Sequence, residues 1–319
     1  MNIWGTGSAL PALSVDNERL TKFLDTSDEW IRSRTGICER RILGADETLL
    51  GLGAQAGARA LEDAGVLPAD VDLLICATLQ GDTITPSLAS LLQAQMGLAC
   101  PAFDLNAACS GFPYALNAAD AFIASGKARA VLVVAAEGLS RLANWTDRST
   151  CVLFGDGAGA VLCGPGEALK ALKLTSAGAK QILYADAEPG GSPFGTKARA
   201  FAGIHMEGQE VYRFAVSSCL RDLEAVIGQA GLTPDDIDCF VLHQANKRIV
   251  EAVRARLRQP EDKFPTNIER RGNTSSASIP ILLDELNRAG RFKAGDRLAL
   301  AAFGAGLTTG ACVIEWTKA

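Results

Sequence analysis

The chain reads as an α/β protein built from two similar halves, each a mostly parallel sheet covered by helices. Three observations predict this. Residues 64–78, AGVLPADVDLLICAT, and residues 230–244, AGLTPDDIDCFVLHQ, align without a gap 166 positions apart, with Ala, Gly, Pro and two Asp matched in place. Short apolar runs of strand length, such as 130–136 and 298–302, alternate with stretches of helical periodicity and Gly/Pro punctuation. At 319 residues and 48% hydrophobic composition, the chain is long enough for two packed halves sharing a large core.

The elements follow in chain order. In each copy of the repeat a helix stops at a glycine (Gly65, Gly231), a Pro-Asp turn follows, and a buried strand comes next. Phe103, Asp104 and Leu105 form a short strand ahead of the turn NAACSGF. A helix over 112–125 follows, with Phe112, Leu116, Ala119 and Ile123 on one face and Gly126 at its end. GDGAGAVLC at 155–163 and GLTTGACVI at 306–314 read as Gly-rich turns feeding strands. The first fits G-x-G-x-x-A, but the strand that follows it rules out a dinucleotide site, which needs a helix N-terminus for the pyrophosphate. GPGEALKAL breaks the pattern and divides the chain into residues 1–168 and 169–319. Residues 178–205 are polar and Gly/Pro-rich, an irregular insertion. Asn246 caps a helix whose Ile249, Val250, Val253 and Leu257 face the core.

Composition removes several function classes. A net charge of −5 gives no reason to expect nucleic acid. The N-terminus lacks a signal-peptide pattern and the longest apolar run is too short to cross a bilayer, so no membrane is expected and the cytoplasm is. The nine cysteines are scattered, odd in number and free of C-x-x-C, which argues against a disulfide framework or zinc ribbon. Two histidines without H-E-x-x-H argue against a metal.

Three positions could carry chemistry. Cys109 stands where a strand turns into a helix, where the dipole and free N–H groups favour a thiolate; taken alone it reads equally as a packed thiol. His243 ends a strand, at the edge where open α/β sheets build their sites; a core histidine is the plain alternative. Asn273 lies in GNTSSASIP, an ordinary turn asparagine unless the other two meet it. His205, in the insertion, reads as a surface or loop residue.

Together TSDEWIRSRTGICERR (26–41), DLNAACSGF, FGDGAGA (154–160), HQANKRI (243–249), GNTSSASIP (272–280) and FGAGLTTG (303–310) resemble the 3-oxoacyl-[acyl-carrier-protein] synthase III family, in its order and nearly end to end. The resemblance implies a thiolase-like fold, itself a duplicated α-β-α-β-α layering of two pseudo-symmetric halves. It implies a catalytic triad of Cys109, His243 and Asn273. Cys109 would take an acyl group from acyl-CoA, and malonyl-acyl carrier protein would lose carbon dioxide and attack it, initiating fatty-acid synthesis. Backbone N–H groups of Cys109 and Ala305 would form an oxyanion hole. Trp30 and Arg148 would sandwich the adenine of CoA, Thr26 and Arg34 would lie near the nucleotide, and Gly208, Tyr212, Ala245 and Asn246 would line the pantetheine channel. Arg213, Arg248 and Arg256 would dock the acidic carrier protein. A homodimer is implied, and no metal or redox cofactor.

Two features depart from the family pattern. Thr85 stands where many members carry an aromatic gate before the residue corresponding to Pro86, and the loop at 178–205 differs. Both bear on acyl-chain length, so acetyl-CoA is not assumed as primer, and a specialised ketosynthase making a signal molecule or polyketide starter stays open. A papain-like hydrolase shares the order Cys, His, Asn, and a silent carrier-binding scaffold is a further alternative. The hydrolase leaves the repeat unexplained, and the scaffold leaves the intact triad unexplained.

Overall fold

The structure, a computed structural model, describes residues 1–186 and 203–318. The chain opens with β1 (Asn2–Ala9), then β2 (Leu13–Asp16), α1 (Asn17–Thr21), α2 (Asp28–Thr35) and β3 (Glu39–Ile42). Next come α3 (Leu49–Ala64), β4 (Leu73–Ala77), α4 (Leu88–Gln95), β5 (Ala102–Leu105), α5 (Gly111–Ala124), β6 (Val131–Gly138) and β7 (Asp156–Gly164). A second series follows: β8 (Leu169–Thr175), β9 (Leu183–Ala185), β10 (Ile204–Met206), α6 (Gly208–Gln229), β11 (Cys239–Leu242) and α7 (Lys247–Leu257). It closes with α8 (Ile268–Arg271), α9 (Ser278–Arg288), β12 (Arg297–Gly304) and β13 (Thr308–Glu315).

The two main sheets run β1-β7-β6-β4-β5 and β8-β13-β12-β11, the same order with β5 extra. They are mixed rather than mostly parallel. β4 pairs parallel with β5 and β6, and β11 parallel with β12, but β7 and β13 run antiparallel to both of their neighbours. The reason lies in the connections: β6 and β7 are joined by residues 139–155, which hold short 3-10 turns and no crossover helix. β12 and β13 are joined by a tight turn, which can only reverse the chain, whereas each parallel pair is joined through a helix. The glycines of 155–163 also lie mostly inside β7 rather than in a turn before it.

The repeat seen in sequence recurs bond for bond. Val66 N–H donates to Leu61 C=O at 3.0 Å, and Leu232 N–H to Ile227 C=O at 3.0 Å. Gly65 and Gly231 both take the left-handed conformation, at φ 66° and 72°. The Pro turns Pro68–Asp70 and Pro234–Asp236 then lead into Asp72 and Asp238. Each of these Asp residues ties its strand to a neighbour: the Asp72 carboxylate accepts from Ala130 N–H at 2.9 Å, and Asp238 from Arg297 N–H at 2.8 Å. The shared Asp is therefore a strand-registering residue.

Core packing sets five layers. α3 and α4 cover one face of the first sheet through Leu52, Leu61, Leu88 and Leu92 against Leu74, Leu132 and Leu162. α6 and α7 cover the far face of the second, with Leu223, Val226 and Val253 against Phe240 and Val313. α5 and α9 lie between the sheets, where Phe112, Leu116, Ile281 and Leu283 share one core with Ile75, Val133, Val241 and Leu300. Leu116 is fully buried there, so truncation to Ala costs about 2–5 kcal/mol.

The insertion is not wholly irregular: β9 and β10 pair as an antiparallel ribbon. His205 sits on it, exposed, against the Tyr184 ring at 4.9 Å. Residues 187–202 of the insertion lie outside the described residues. Among the described residues no helix is long and apolar enough to cross a membrane.

Candidate active site

The middle helices bring two equivalent turns face to face. Ahead of α5, the Asn106 side-chain oxygen accepts from Ala108 N–H at 3.1 Å, Ala108 is left-handed at φ 50°, and a short 3-10 turn Ala108–Ser110 follows. Ahead of α9, the Asn273 side-chain oxygen accepts from Ser275 N–H at 2.8 Å, Ser275 is left-handed at φ 51°, and the 3-10 turn Ser275–Ala277 follows. In this register Asn106 matches Asn273 and Cys109 matches Ser276. A left-handed non-glycine residue carries backbone strain, and here the asparagine amide fastens it.

Cys109 thus stands just before α5, at a turn stitched to the second half of the molecule. Ser110 Oγ donates to Thr308 C=O at 3.1 Å, and Thr308 Oγ1 to Ala107 C=O at 3.0 Å. A Cβ at Gly304 would lie 2.7 Å from the Cys109 nitrogen, so only glycine lets β12 approach the nucleophile's backbone. Ser275 Oγ donates to Cys109 Sγ at 3.4 Å. Burial pushes the Cys109 thiol up to about 12, with the Glu137 carboxylate adding to the rise. Enclosure of the sulfur thus opposes the thiolate that the helix start favours.

His243 and Asn273 are oriented as donors. The His243 ring is 2% exposed, lies edge-on to Phe303 at 5.1 Å, and meets Ser278 Oγ through Nδ1 at 2.7 Å. Gln244 N–H donates to that same Ser278 oxygen at 3.3 Å, and among the described residues the Ser278 hydroxyl has no acceptor other than Nδ1. The proton of a neutral imidazole then sits on Nε2. Burial pulls His243 down to about 3, so the ring is neutral. The Asn273 oxygen is taken by Ser275 N–H, which leaves its NH₂ as the free end.

Cys109, His243, Asn273 and Ala305 line one cavity of about 1930 Å³. That exceeds an ordinary small-ligand pocket of roughly 300–1,000 Å³ and leaves room for an extended molecule. Trp30, Arg34, Gly208, Tyr212, Ala245 and Asn246 line the same cavity, as do Arg213 and Arg248. Asn246 caps α7 by accepting from Arg248 N–H at 2.9 Å, and donates to Arg34 C=O at 3.1 Å, fastening α7 to α2. Arg148 and Arg34 lie over the Trp30 ring, at 5.4 and 5.9 Å from its centroid. A purine between Trp30 and Arg148 needs about 7 Å, two contacts of about 3.5 Å, so Arg148 must swing out to admit one. It is held meanwhile by the Asp25 carbonyl and carboxylate. The Thr26 hydroxyl is buried without a partner. Arg248 lies over the Tyr212 ring at 5.8 Å, and Arg213 pairs with Glu210 at 2.8 Å. Arg256, exposed near the end of α7, is not among the cavity's lining residues.

Sequence reasoning did not single out Ser275, Ser276, Ser278, Phe303 or Glu137. A signal was present: NAACSG at 106–111 and NTSSAS at 273–278 share an Asn followed by small residues, 167 positions apart.

A duplicated five-layer fold with a thiol, an imidazole and a carboxamide on one cavity defines the thiolase-like condensing enzymes. The chain matches the family described as 3-oxoacyl-[acyl-carrier-protein (ACP)] synthase III over residues 103–178, and that described as its C terminal over residues 227–316. It is 46% identical to the beta-ketoacyl-[acyl-carrier-protein] synthase III of Clostridium acetobutylicum, covering 100% of this chain and 99% of the relative. The enzyme of the same name from Xanthomonas campestris is 45% identical, with 98% of each chain covered. The crystal structure of 3-oxoacyl-[acyl-carrier-protein] synthase III from Aquifex aeolicus superposes with a TM-score of 0.91 at 43% identity over 99% of each chain. The priming beta-ketosynthase of the R1128 polyketide pathway superposes with a TM-score of 0.92 at 35% identity, over 99% of this chain and 96% of that one. The chain belongs to the 3-oxoacyl-[acyl-carrier-protein] synthase III family and is a condensing acyltransferase that initiates fatty-acid synthesis.

Proposed function

We propose that the chain joins an acyl-CoA primer to malonyl-acyl carrier protein, with Cys109 as acyl carrier and His243 and Asn273 as the pair that drives decarboxylation. The observation that carries this reading is the donor pair: one N–H from a neutral imidazole and one NH₂ from an oriented carboxamide, on the cavity that Cys109 shares. Cys109 sulfur attacks the thioester carbonyl, the carbon–sulfur bond to CoA breaks, and the acyl group stays on Cys109. The transient oxyanion is met by the N–H groups of Cys109 and Ala305, and one such donor is worth ~3 kcal/mol. CoA leaves, and the malonyl thioester enters by the same opening. As its carboxylate departs as carbon dioxide, charge moves onto the thioester oxygen, where His243 Nε2–H and the Asn273 NH₂ stabilise it. The carbanion attacks the acyl carbonyl, and Cys109 sulfur leaves. A neutral histidine suits the step, since it donates without having to lose a charge.

Trp30, Arg34, Arg148 and Thr26 are assigned to the nucleotide, and Gly208, Tyr212, Ala245 and Asn246 to pantetheine. Residues 1–168 and 169–319 are the two domains of this reading. Arg213 and Arg248 at the cavity rim suit an acidic carrier protein. Arg256 extends that basic surface along α7. Arg248→Glu is expected to raise KM for the carrier-protein substrate about tenfold and to spare acyl-CoA, and steady-state kinetics with each substrate varied in turn checks it. A homodimer through the edge strand β5 is part of the reading, supported by exposed Phe103 and Ile84, and light scattering tests it.

The direct test is the intact-protein mass after exposure to acyl-CoAs of graded chain length. One acyl group on the wild type and none on Cys109→Ala supports the assignment, and the best-used chain length names the primer. Equal labelling of both proteins removes it.

A further inference from the structure

Strand β3 sends a cation into the core that the steps above leave unused. Arg40 is 0% exposed, among the largest of the fully buried side chains. Its Nη1 donates to the Val15 carbonyl at 3.1 Å and to the Asn17 side-chain oxygen at 2.8 Å, and its Nη2 to the Val152 carbonyl at 2.8 Å. Among the described residues no Asp or Glu forms an ion pair with it, and Nε is buried without a partner. Burial pulls the guanidinium down to about 10, which still leaves it charged at neutral pH. A charge buried against neutral groups is costly, and apolar residues often serve stability as well. What an arginine offers in exchange is a rigid fork of donors that holds several acceptors at fixed angles.

The acceptor on Nη2 leads to the site. Val152 begins a short strap, residues 152–155, that runs beside Asn273. Asn273 N–H donates to the Leu153 carbonyl at 2.8 Å, Gly155 N–H donates to the Asn273 carbonyl at 2.9 Å, and Phe154 and Asn273 pair as a parallel bridge. Val152, Leu153 and Phe154 line the cavity together with Asn273. Gly272, at φ 65°, lets the chain pass close by: a Cβ there would lie 3.0 Å from the Leu153 oxygen and 3.1 Å from Arg40 Cβ. A Cβ at Gly155 would also lie 3.3 Å from Arg40 Cβ. The Arg40 stem therefore packs against both strands of this pairing, and its fork ends on the strap.

We propose that Arg40 is a positioning residue for Asn273: by holding the Val152 carbonyl it fixes the strap to which the Asn273 backbone is bonded, and so sets where the Asn273 NH₂ stands on the cavity. The inference rests on the reading of Asn273 as a donor in decarboxylation.

The other arm of the fork is anchored in turn. The Asn17 NH₂ donates to the Asp28 carboxylate at 2.8 Å and to the Ile37 carbonyl at 2.8 Å. Asp28 opens α2, so one guanidinium spans from the base of that helix to the Asn273 strap. The Cys109 turn hangs on different bonds, made by Asn106, Thr308 and Ser275, and none of these reaches residues 152–155. Loss of the fork therefore falls on carbon dioxide release and spares acylation.

The test measures the two half-reactions apart in Arg40→Met, Asn273→Ala and the double variant. Acylation of Cys109 is followed by intact mass, and carbon dioxide release is followed with malonyl-acyl carrier protein and protein already acylated. Arg40→Met replaces the stem and removes the fork. It is expected to acylate at the wild-type rate and to release carbon dioxide about tenfold more slowly, with KM for the malonyl substrate unchanged. Because Arg40 acts through Asn273, the double variant is expected to be no slower than Asn273→Ala alone. A general loosening of the fold would slow both half-reactions, and its loss would multiply with that of Asn273→Ala. Normal carbon dioxide release in Arg40→Met, equal losses in both half-reactions, or multiplied losses in the double variant overturn the proposal. Should Arg40→Met fail to fold, Arg40→Lys, which keeps the charge and loses the fork, decides by the same readouts. Normal release in Asn273→Ala overturns the reading of Asn273 and the role of Arg40 with it. Slow release in Asn273→Ala beside normal release in Arg40→Met overturns the role of Arg40 alone.

Discussion

The turns before α5 and α9 have one backbone and two fates. Both start with an asparagine whose oxygen holds the N–H two residues on, both pass through a left-handed residue at φ near 50°, and both end in a buried helix. At the matched position one carries Cys109, whose sulfur lines the cavity, and the other Ser276, whose hydroxyl is locked to Glu137 at 2.6 Å and is 1% exposed. Conversely, the buried Asn273 presents its NH₂ to the cavity, while Asn106 donates only to the Leu79 carbonyl at 3.4 Å. Duplication supplied two equal platforms. At the nucleophile position the division follows which side chain reaches the cavity: Cys109 lines it and Ser276 does not.

The division can be broken at the nucleophile. Cys109→Ala with Ser276→Cys puts a thiol on the second platform and none on the first. The account expects no acyl label at all, since residue 276 faces Glu137 rather than the cavity; an acylated residue 276 by peptide mapping would make the platforms interchangeable. A smaller effect concerns Glu137, whose proton affinity is raised by burial. The folded protein prefers it protonated more than the unfolded chain does, so its contribution to stability is fully present below about pH 4.5 and is lost as pH rises through about 7. A shift from 4.5 to about 7 corresponds to about 3 kcal/mol at alkaline pH. Glu137→Gln should therefore unfold at higher denaturant concentration than the wild type at pH 8, and the advantage should shrink towards pH 5. An advantage equal at both pH values would mean that the carboxylate is not strained by burial.

The repeat was legible in sequence because its signals are local: a helix-stopping glycine, a proline turn and a strand-registering aspartate fall within fifteen residues. Strand direction was not legible, because it depends on whether a connection is a tight turn or a helix crossing. The second platform went unread because it shares only an asparagine and small side chains with the first. Cys109, His243 and Asn273 could be named as candidates, but a lone cysteine, histidine or turn asparagine has a plain structural reading in each case. Only the family pattern joined them in the sequence. The thiol's raised affinity for its proton was beyond reach, since it depends on how deeply the sulfur is enclosed. Trp30, Arg34 and Arg148 likewise carried no local sign that they stack together.

The central claim is that the two platforms serve different half-reactions. The measurement that tests it is carbon dioxide release from malonyl-acyl carrier protein by enzyme already acylated on Cys109, compared among wild type, His243→Ala and Asn273→Ala. The account predicts that both variants acylate normally and release carbon dioxide about 10²–10³-fold more slowly, the loss of one enolate donor. Normal release from either acylated variant, or failure of both to acylate, would contradict the division of labour.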